Sequence, residues 1–287
     1  MKQLIINADD LGADEARNVG IFEAIQAGVV TSVSILANGQ ALEDALRRIR
    51  SQIRQTISLG IHINLSEGRP LSSNLRLLTG QDGCFLKKPS AHEILMCPED
   101  PELEREISQE LTNQIETLLD TGVRIDHLDG HQHVHVFPAV LPLTIKIAQR
   151  YKIPWMRIPK EPFPISGGRI IPGSLKAEAQ FFSRIAERAW PQLKGPEVKA
   201  PNHFRGLYLK GRLSLPLLFD LLQEIPPGLT ELMVHPGRVS DRPFSGPFSA
   251  FSTSDREKEL KALIDQRFQQ GLENAQICLT SFPEAQY

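Results

Sequence analysis

Short apolar runs alternate along this chain with longer segments in which apolar residues recur every three or four positions. Leu4-Ile5-Ile6 is the first such run, and residues 15–27 follow it with apolar side chains at helical spacing. Towards the C-terminus, residues 229–234 again read as a strand, and residues 255–270 again show helical spacing. This alternation predicts β/α units around a parallel sheet, which is an α/β fold.

The same pattern assigns the remaining elements. Runs rich in β-branched or aromatic residues predict strands, and amphipathic segments bounded by Gly, Asp or Pro predict helices. The predicted strands are 4–6, 29–36, 57–64, 123–128, 155–159, 202–209, 229–234 and 275–279. The predicted helices are 15–27, 41–50, 102–120, 138–151, 181–190, 215–224 and 255–270.

One segment breaks the alternation. Residues 66–101 carry Gly, Pro, Ser and Asn with little periodicity, which predicts a loop insertion that serves function or covers a site. A single (β/α) barrel often has about the length of this chain of 287 residues. We therefore predict one domain spanning residues 1–287, with the insertion around 66–101.

Composition narrows the class of protein. Hydrophobic residues make up 41% of the chain, which is enough for a sizeable core, and a net charge of −2 gives no reason to expect a nucleic acid or an anionic membrane as partner. The N-terminal apolar run is too short for a signal peptide, and no apolar run reaches the ~18 residues of a membrane span. Three scattered cysteines are typical of a reducing compartment, so we predict a soluble cytoplasmic protein.

Four of the eight histidines fall within nine residues, at His127, His131, His133 and His135. Neutral imidazole is the commonest protein ligand for Zn²⁺ and similar ions, so this cluster predicts part of a metal site. The alternative for any lone histidine is a hydrogen-bonded structural role, which we accept for His92 in its polar loop. The density of histidines in the cluster favours a metal site over a structural role.

Other polar residues with suitable chemistry follow predicted strands. In α/β barrels and open α/β sheets, the carboxyl ends of the strands meet at one edge, where active sites are built. Residues far apart in the sequence should therefore converge there. The residues in this position are Asp9, Asp10, His62, the cluster around His131, Arg157 and His235.

A hydrolytic metal site needs about three protein ligands and an open position. Asp10, His62 and one histidine of the cluster could supply them, and His131 is preferred because it comes where its strand leaves the sheet. On an extended segment His131, His133 and His135 would share one face, so the latter two would contact substrate or support a ligand. An oxygen-rich Mg²⁺ site remains a second interpretation.

That second interpretation would use Asp9, Asp10 and Asp129. The adjacent pair Asp9-Asp10 also predicts a division of labour, in which one carboxylate binds metal and the other accepts a proton from the attacking water. The alternative role for an aspartate in such a place is a helix N-cap, which we assign to Asp14.

Two further residues could complete the chemistry. His235, in a His-Pro-Gly sequence after an apolar run, could protonate a leaving amine, or it could be structural and fix the following turn. Arg157 could stabilise an oxyanion or hold a substrate hydroxyl, or it could be a solvated arginine.

Several short motifs occur in order through nearly the whole chain. They are Ile6-Asn7-Ala8-Asp9-Asp10-Leu11-Gly12, Gly20-Ile21, Gly28-Val29-Val30-Thr31-Ser32, Gly60-Ile61-His62, the segment from His127 to His135, and Glu231-Leu232-Met233-Val234-His235-Pro236-Gly237. Together they resemble the YdjC-like carbohydrate deacetylases, whose best-known members remove acetyl groups from chitooligosaccharides. The family usually has Phe after the paired aspartates, where this chain has the equally apolar Leu11.

The resemblance implies a TIM-like (β/α) barrel that is distorted or incomplete. It also implies one divalent metal ion, Mg²⁺ or Zn²⁺, held by Asp10, His62 and His131. Asp9 falls on the position of the catalytic base, and His235 falls on that of the catalytic acid.

The resulting prediction is a metal-dependent hydrolase that removes an acetyl group from an N-acetylated sugar or oligosaccharide. Arg157, His133 and Asn64 are the predicted substrate contacts. Two alternatives remain open, namely hydrolysis of another amide or a phosphoester at the same site, and a sugar-binding protein without catalysis. Exposed apolar loops could also serve a homodimer.

Overall fold

The computed structural model describes residues 1–53, 57–164, 171–193, 197–240 and 246–285. Within these ranges eight strands form one sheet in which every pairing is parallel. The strands are β1 (Lys2–Leu11), β2 (Ser32–Ile35), β3 (Ser58–Ile63), β4 (His127–Gly130), β5 (Trp155–Met156), β6 (His203–Arg205), β7 (Gly228–Val234) and β8 (Ile277–Leu279).

The sheet curls into an incomplete barrel. Its order is β5-β4-β3-β2-β1-β7-β6, and β8 pairs with the first residues of β1. Between the edge strands β5 and β6, the described residues show one parallel bridge, which joins Trp155 to Lys199. This arrangement confirms the predicted α/β class and the distorted TIM-like barrel.

Helices follow most of the strands and surround the sheet. They are α1 (Glu15–Gln26), α2 (Leu42–Gln52), α3 (Lys88–Leu95), α4 (Pro101–Asp120), α5 (Leu141–Arg150), α6 (Gly173–Ala189), α7 (Leu215–Glu224), α8 (Ser254–Leu263) and α9 (Gln266–Asn274). Local sequence explains their ends. Asp14 caps α1 by accepting a hydrogen bond from the backbone of Arg17, and Gly28 adopts a left-handed φ of 75° just beyond the helix.

Several sequence predictions were wrong in detail. The helix predicted over 181–190 begins earlier, at Gly173, and the strand predicted over 123–128 lies at His127–Gly130. The helix predicted over 255–270 is two helices, because Asp265 interrupts it and caps α9 with its side chain. The insertion predicted as a loop over 66–101 contains α3. No helix among the described residues combines the length and apolar character needed to cross a bilayer.

Helix α4 packs on the barrel and also organises the insertion. One side carries apolar residues that are buried in the core, as the sequence predicted. Three polar side chains on the same helix are also buried, namely Glu106, Glu110 and Gln114. The two glutamates accept hydrogen bonds from insertion backbone, and Gln114 bonds both backbone groups of Asn64. These bonds satisfy the insertion backbone and hold it near the carboxyl end of β3.

Helix α1 approaches the turn after β7 so closely that only glycine fits at the contact. A Cβ added to Gly20 would lie 2.4 Å from the Cα of Gly237, whose turn follows His235. We expect Gly20→Ala to lower the free energy of unfolding by about 1–3 kcal/mol, because backbone must move to relieve the overlap. Urea denaturation measures the change.

The matched control is Gly173→Ala at the start of α6, where an added Cβ would meet no heavy atom within 4 Å. This variant should be neutral or more stable by up to about 1 kcal/mol, since alanine restricts the unfolded chain. Equal effects at the two positions would contradict the close-contact explanation.

Candidate active site

Residues from four strands meet at the carboxyl end of the barrel. Asp9 and Asp10 lie at the end of β1, His62 on β3, His131 directly after β4 and His235 directly after β7. All five line one small cavity with a volume of about 40 Å³. The structure thus brings together the residues predicted as metal ligands, base and acid. The other side chains that line this cavity include His133, Glu178, Phe182, Leu207, Lys210 and Met233.

Adjacent residues of a regular strand point to opposite faces, yet Asp9 and Asp10 both reach the cavity. The pairing of β1 with β2 shifts register between Ala8 and Leu11, and Asp10 has a left-handed φ of 67°. A bulge of this kind redirects a side chain, and aspartate tolerates the left-handed region better than most residues. This backbone irregularity places the paired carboxylates side by side.

Asp10, His62 and His131 present three potential ligand atoms to one point. The Oδ1 atom of Asp10 lies 3.4 Å from Nε2 of His62 and 3.0 Å from Nδ1 of His131. One donor atom from each residue lies within 4.8 Å of the others. Donors around a tetrahedral ion with bonds of about 2.1 Å are about 3.4 Å apart, so this group fits a metal ion.

Each of these three side chains also forms a hydrogen bond with a residue outside the ligand group. The Nδ1–H group of His62 donates to Asp129 at 2.7 Å, and the Nε2–H group of His131 donates to Glu67 at 3.1 Å. These bonds leave Nε2 of His62 and Nδ1 of His131 facing Asp10, as expected for imidazoles supported by carboxylates in metal sites. Neither supporting carboxylate was identified as such from the sequence.

The second oxygen of Asp10 is also occupied. Arg17 is buried in α1 and donates from Nη1 to Oδ2 of Asp10 at 2.9 Å. Oδ1 therefore remains directed at the two histidines. Sequence reasoning did not identify Arg17, because nothing in the spacing distinguishes it from an exposed helix residue.

The electrostatics of the site favour a cation. Burial alone would lower the pKa of His62, but the carboxylates of Asp129 and Asp9 raise it to about 10. Burial would also lower the pKa of His131, but the carboxylate of Asp10 outweighs it and raises that pKa. The pKa of Asp10 itself is held well below its ordinary value, against burial, chiefly by His131. The carboxylates thus create a field that attracts positive charge to this point.

A second group of potential ligands consists of Asp9, His62 and Asp129. Arg157 donates to Asp9 from Nη1 and Nη2, both at 2.7 Å, and lies 2.7 Å from Asp129. The guanidinium cation of Arg157 already neutralises the carboxylates of Asp9 and Asp129. The oxygen-rich site considered from the sequence is therefore less suited to a metal ion than the group around Asp10.

Arg157 is fully buried inside the barrel and is not a solvated rim residue. Besides Asp9 and Asp129 it bonds Glu231 through Nε at 2.7 Å. Asp9 receives a further hydrogen bond from Asn7 at 2.7 Å, so its carboxylate has a fixed orientation. Burial raises the pKa of Asp9 above the ordinary value, although Arg157 opposes this shift. A carboxylate with raised proton affinity suits a general base.

His235 lies near Asp9, with its Nε2 atom 4.0 Å from Oδ2 of Asp9. The backbone N–H of His235 donates to Glu259 at 2.5 Å, and Arg256 donates to the backbone carbonyl of His235 at 3.1 Å. Burial, followed by the charge of Arg256, holds the pKa of His235 well below its ordinary value. This shift favours the neutral imidazole and makes its protonated form a stronger acid than an ordinary histidine.

The prediction of an extended segment with His131, His133 and His135 on one face was wrong. The two residues after His131 have left-handed φ values of 51° and 57°, so the chain turns within a short 3₁₀ segment. His131 faces Asp10, whereas His133 lines the cavity against Phe182. His135 donates from Nε2 to the carbonyl of Arg157 at 2.9 Å and supports that residue.

His127, the first histidine of the cluster, is a core residue. Its ring stacks on Phe282 and lies within hydrogen-bond distance of the hydroxyls of Ser34 and Ser58. Burial lowers its pKa to about 3, so it is neutral. A Cβ on Gly60 would lie 2.2 Å from this ring, which explains why β3 has glycine there.

Asn64 is fully buried, and its side chain orders the turn after β3. Its Oδ1 accepts from the backbone of Ser66 and Glu67, while Nδ2 donates to Asn38 and to the carbonyl of Glu67. Asn64 thus positions Glu67 behind His131. Its predicted contact with substrate stays a prediction.

Three charged residues at or next to the cavity were not identified from the sequence. Lys210, in the loop after β6, lines the cavity and pairs with Glu178 of α6 at 3.3 Å. Lys88 of α3 joins the same carboxylate from the insertion. Nothing in the local sequence marks these residues, because three distant elements bring them together.

We expect Asp129→Asn to weaken binding of the metal ion by about 10–100-fold, because His62 loses the carboxylate that orients and polarises it. Isothermal titration of the metal-free protein with Zn²⁺ measures the affinity. Asp126→Asn, just before the opposite end of the same strand, is the matched control and should bind the ion normally. Unchanged affinity in the Asp129 variant would contradict the supporting role.

Comparison with known proteins finds relatives that match most of the chain. A mouse (Mus musculus) protein named carbohydrate deacetylase is 36% identical over 261 residues, covering 85% of this chain and 81% of its own. A human (Homo sapiens) protein of the same name is 35% identical and covers 96% and 89%, respectively. A bacterial protein of that name, from Brevibacillus brevis, is 29% identical and covers 98% and 99%.

Among solved structures, a protein from Enterococcus faecalis described as a cellobiose-phosphate cleavage protein has the same fold. Its TM-score is 0.75 at 23% identity, and the match covers 98% of both chains. The family profile described as YdjC-like protein matches residues 3–274. With nearly its whole length matched, the chain belongs to the YdjC-like family.

Proposed function

We propose that this protein is a metal-dependent carbohydrate deacetylase that hydrolyses the acetamide group of an N-acetylated sugar. One observation carries the proposal, namely that three ligand atoms for an ion, a fixed carboxylate and a neutral imidazole all border one cavity. The relatives named carbohydrate deacetylase support the same activity.

The three ligands in this proposal are Asp10, His62 and His131. When bound, the divalent ion would polarise the amide carbonyl and make water more acidic. Two imidazoles and one carboxylate suit Zn²⁺ and related transition metals, whereas Mg²⁺ prefers oxygen ligands. Of the two ions considered from the sequence, the donor set thus favours Zn²⁺.

Asp9 is the proposed base. Its carboxylate, oriented by Arg157, takes a proton from the water that attacks the acetyl carbon. The Nε2 atom of His235 lies 4.0 Å from Oδ2 of Asp9, which is beyond hydrogen-bond distance, so this proton would pass to the imidazole through a bridging water. His235 then donates it to the sugar nitrogen as the C–N bond breaks, giving acetic acid and a free amine. One proton of the attacking water thus reaches the leaving nitrogen, and the hydroxyl stays on the acetyl carbon as acetic acid, which ionises to acetate.

Substrate contacts would come from the residues that line the cavity. His133 borders it directly, and Lys210 with Glu178 provides a donor and an acceptor for sugar hydroxyls. Arg157 and Asn64 are completely buried, and their contacts support action through Asp9 and Glu67.

The test is a screen of acetate release from a panel of N-acetylated mono- and oligosaccharides with added Zn²⁺, Co²⁺ or Mg²⁺. We expect release with at least one sugar, dependent on the ion and abolished by a chelator. Release of phosphate from sugar phosphates, without acetate release, would instead favour the phosphoester alternative. Sugar binding without hydrolysis in ion-loaded protein would favour the non-catalytic alternative.

We also propose that the protein acts in the cytoplasm, as its three free cysteines suggest. A homodimer remains a prediction from exposed apolar residues, among which Phe163 and Phe219 are found in the structure. Sedimentation equilibrium of the purified protein would decide the oligomeric state.

A further inference from the structure

Residues 246–253 lead directly into helix α8, and we call this segment the strap. Positions 246, 247, 249, 250, 252 and 253 are exposed or half-buried, whereas Phe248 is completely buried. The Phe248 ring packs with Ala13 and Leu36 in a small cluster separate from the main core. It also meets the ring of His131 edge to face, with centroids 5.5 Å apart. The strap therefore inserts one aromatic side chain directly beside a proposed metal ligand.

The backbone of Phe248 is linked to that same ligand through a carboxylate. Its N–H group donates to Oε1 of Glu67 at 2.5 Å, and Oε2 of Glu67 accepts from Nε2 of His131 at 3.1 Å. Both oxygens of one side chain are thus used, one for the strap and one for the histidine. Displacement of the strap would free Glu67 to rotate away from His131.

A second link runs from the strap to Asp10. Arg17 donates from Nη1 to Asp10 at 2.9 Å and from Nη2 to the carbonyl of Phe248 at 3.4 Å. The same Nη2 donates to Oγ of Ser252 at 3.0 Å, and this hydroxyl donates to Asp14 at 2.6 Å. One buried guanidinium therefore holds a ligand with one nitrogen and the strap with another.

Phe248 adopts a left-handed φ of 66°. A bulky residue is rare in this region and keeps such a conformation only where its surroundings enforce it. Here the enforcing contacts are those to Glu67, Arg17 and the ring of His131. The conformation of the strap thus depends on the residues that support the ion ligands.

We infer that Phe248 is a positioning residue for the metal site, and that docking of the strap and binding of the ion stabilise each other through Glu67 and Arg17. This inference rests on the metal site of the proposed function. Coupling of this kind is reciprocal. If docking of the strap increases the affinity for the ion by some factor, binding of the ion increases the equilibrium constant for docking by the same factor.

The first test compares Phe248→Leu with Phe268→Leu in the full-length protein. Phe268, on α9, is equally buried but packs in the main core. Titration calorimetry with Zn²⁺ should show affinity about 10-fold lower or weaker for the Phe248 variant, the scale of losing support for a ligand. The Phe268 variant should bind within about 2-fold of the wild type, and urea denaturation verifies that both are folded.

The second test measures hydrogen exchange in peptides covering the strap, with and without Zn²⁺. In the wild type, exchange at the strap should slow by about 10-fold when the ion binds, whereas peptides from α9 should not change. A rate of hydrogen exchange at the strap that does not change when Zn²⁺ binds would overturn the inference, and so would a Phe248 variant with normal affinity for the ion.

Neither readout depends on the substrate. A wild type that binds no ion would overturn both this inference and the proposed function. Normal ion binding with the expected strap effects, but no acetate release from any sugar, would refute only the proposed activity.

Discussion

Asp9→Asn is expected to lower kcat by about 10²-fold or more while the metal ion stays bound. Asparagine has nearly the shape of aspartate but cannot accept the proton of the attacking water. Arg157 keeps its contacts with Asp129 and Glu231, so the barrel interior should survive the change. Steady-state acetate release and metal analysis by emission spectroscopy of the same sample measure the two quantities.

The Asp129→Asn variant is the matched comparison, because it neutralises a carboxylate that bonds the same arginine. We expect opposite signatures, with metal affinity weakened in the Asp129 variant and turnover lost in the Asp9 variant at saturating ion. A nearly normal kcat for Asp9→Asn would remove Asp9 from the role of base. Loss of ion from that variant would instead make Asp9 a ligand.

His62→Ala should abolish both ion binding and activity, with affinity reduced by more than about 100-fold because one of three protein ligands is gone. Added imidazole should restore part of the activity, since the space of the missing ring borders the cavity. Metal content after dialysis and acetate release with and without imidazole test this expectation.

His203→Ala is the control for that experiment. His203 lies on β6, and its Nε2 bonds the carbonyl of Pro227 away from the cavity. Its loss should leave metal content and turnover unchanged. Unaltered metal content in His62→Ala would show that the ion, if present, is held by other residues.

Local patterns were sufficient for most of the fold. The helix predicted over 215–224 agrees with α7 at both ends, since a proline near its start and an apolar stripe are local signals. The loop over 66–101 was less predictable. Its order comes from buried Glu106 and Glu110 on α4, and glutamates at these positions look like ordinary solvent-facing residues in the sequence.

The candidate ligands could be predicted because strand ends carried unusual residue types, and because the motifs resemble those of one family. Their supporting residues could not. Asp129 lies opposite His62 in the register between β3 and β4, and such registers follow from how the sheet closes. Glu67, Arg17 and Phe248 become neighbours of the site only through contacts between segments distant in sequence.

For this protein the sequence alone determined the alternation of strands and helices, the collection of Asp and His at strand ends, and the class of chemistry that these suggest. The tertiary structure decided which atoms face one another. The left-handed backbone at Asp10 directs two neighbouring carboxylates into one cavity. The turn after His131 makes the side chains of His131, His133 and His135 point in different directions. Periodicity is a property of neighbouring residues, whereas orientation depends on packing and hydrogen bonds between distant ones.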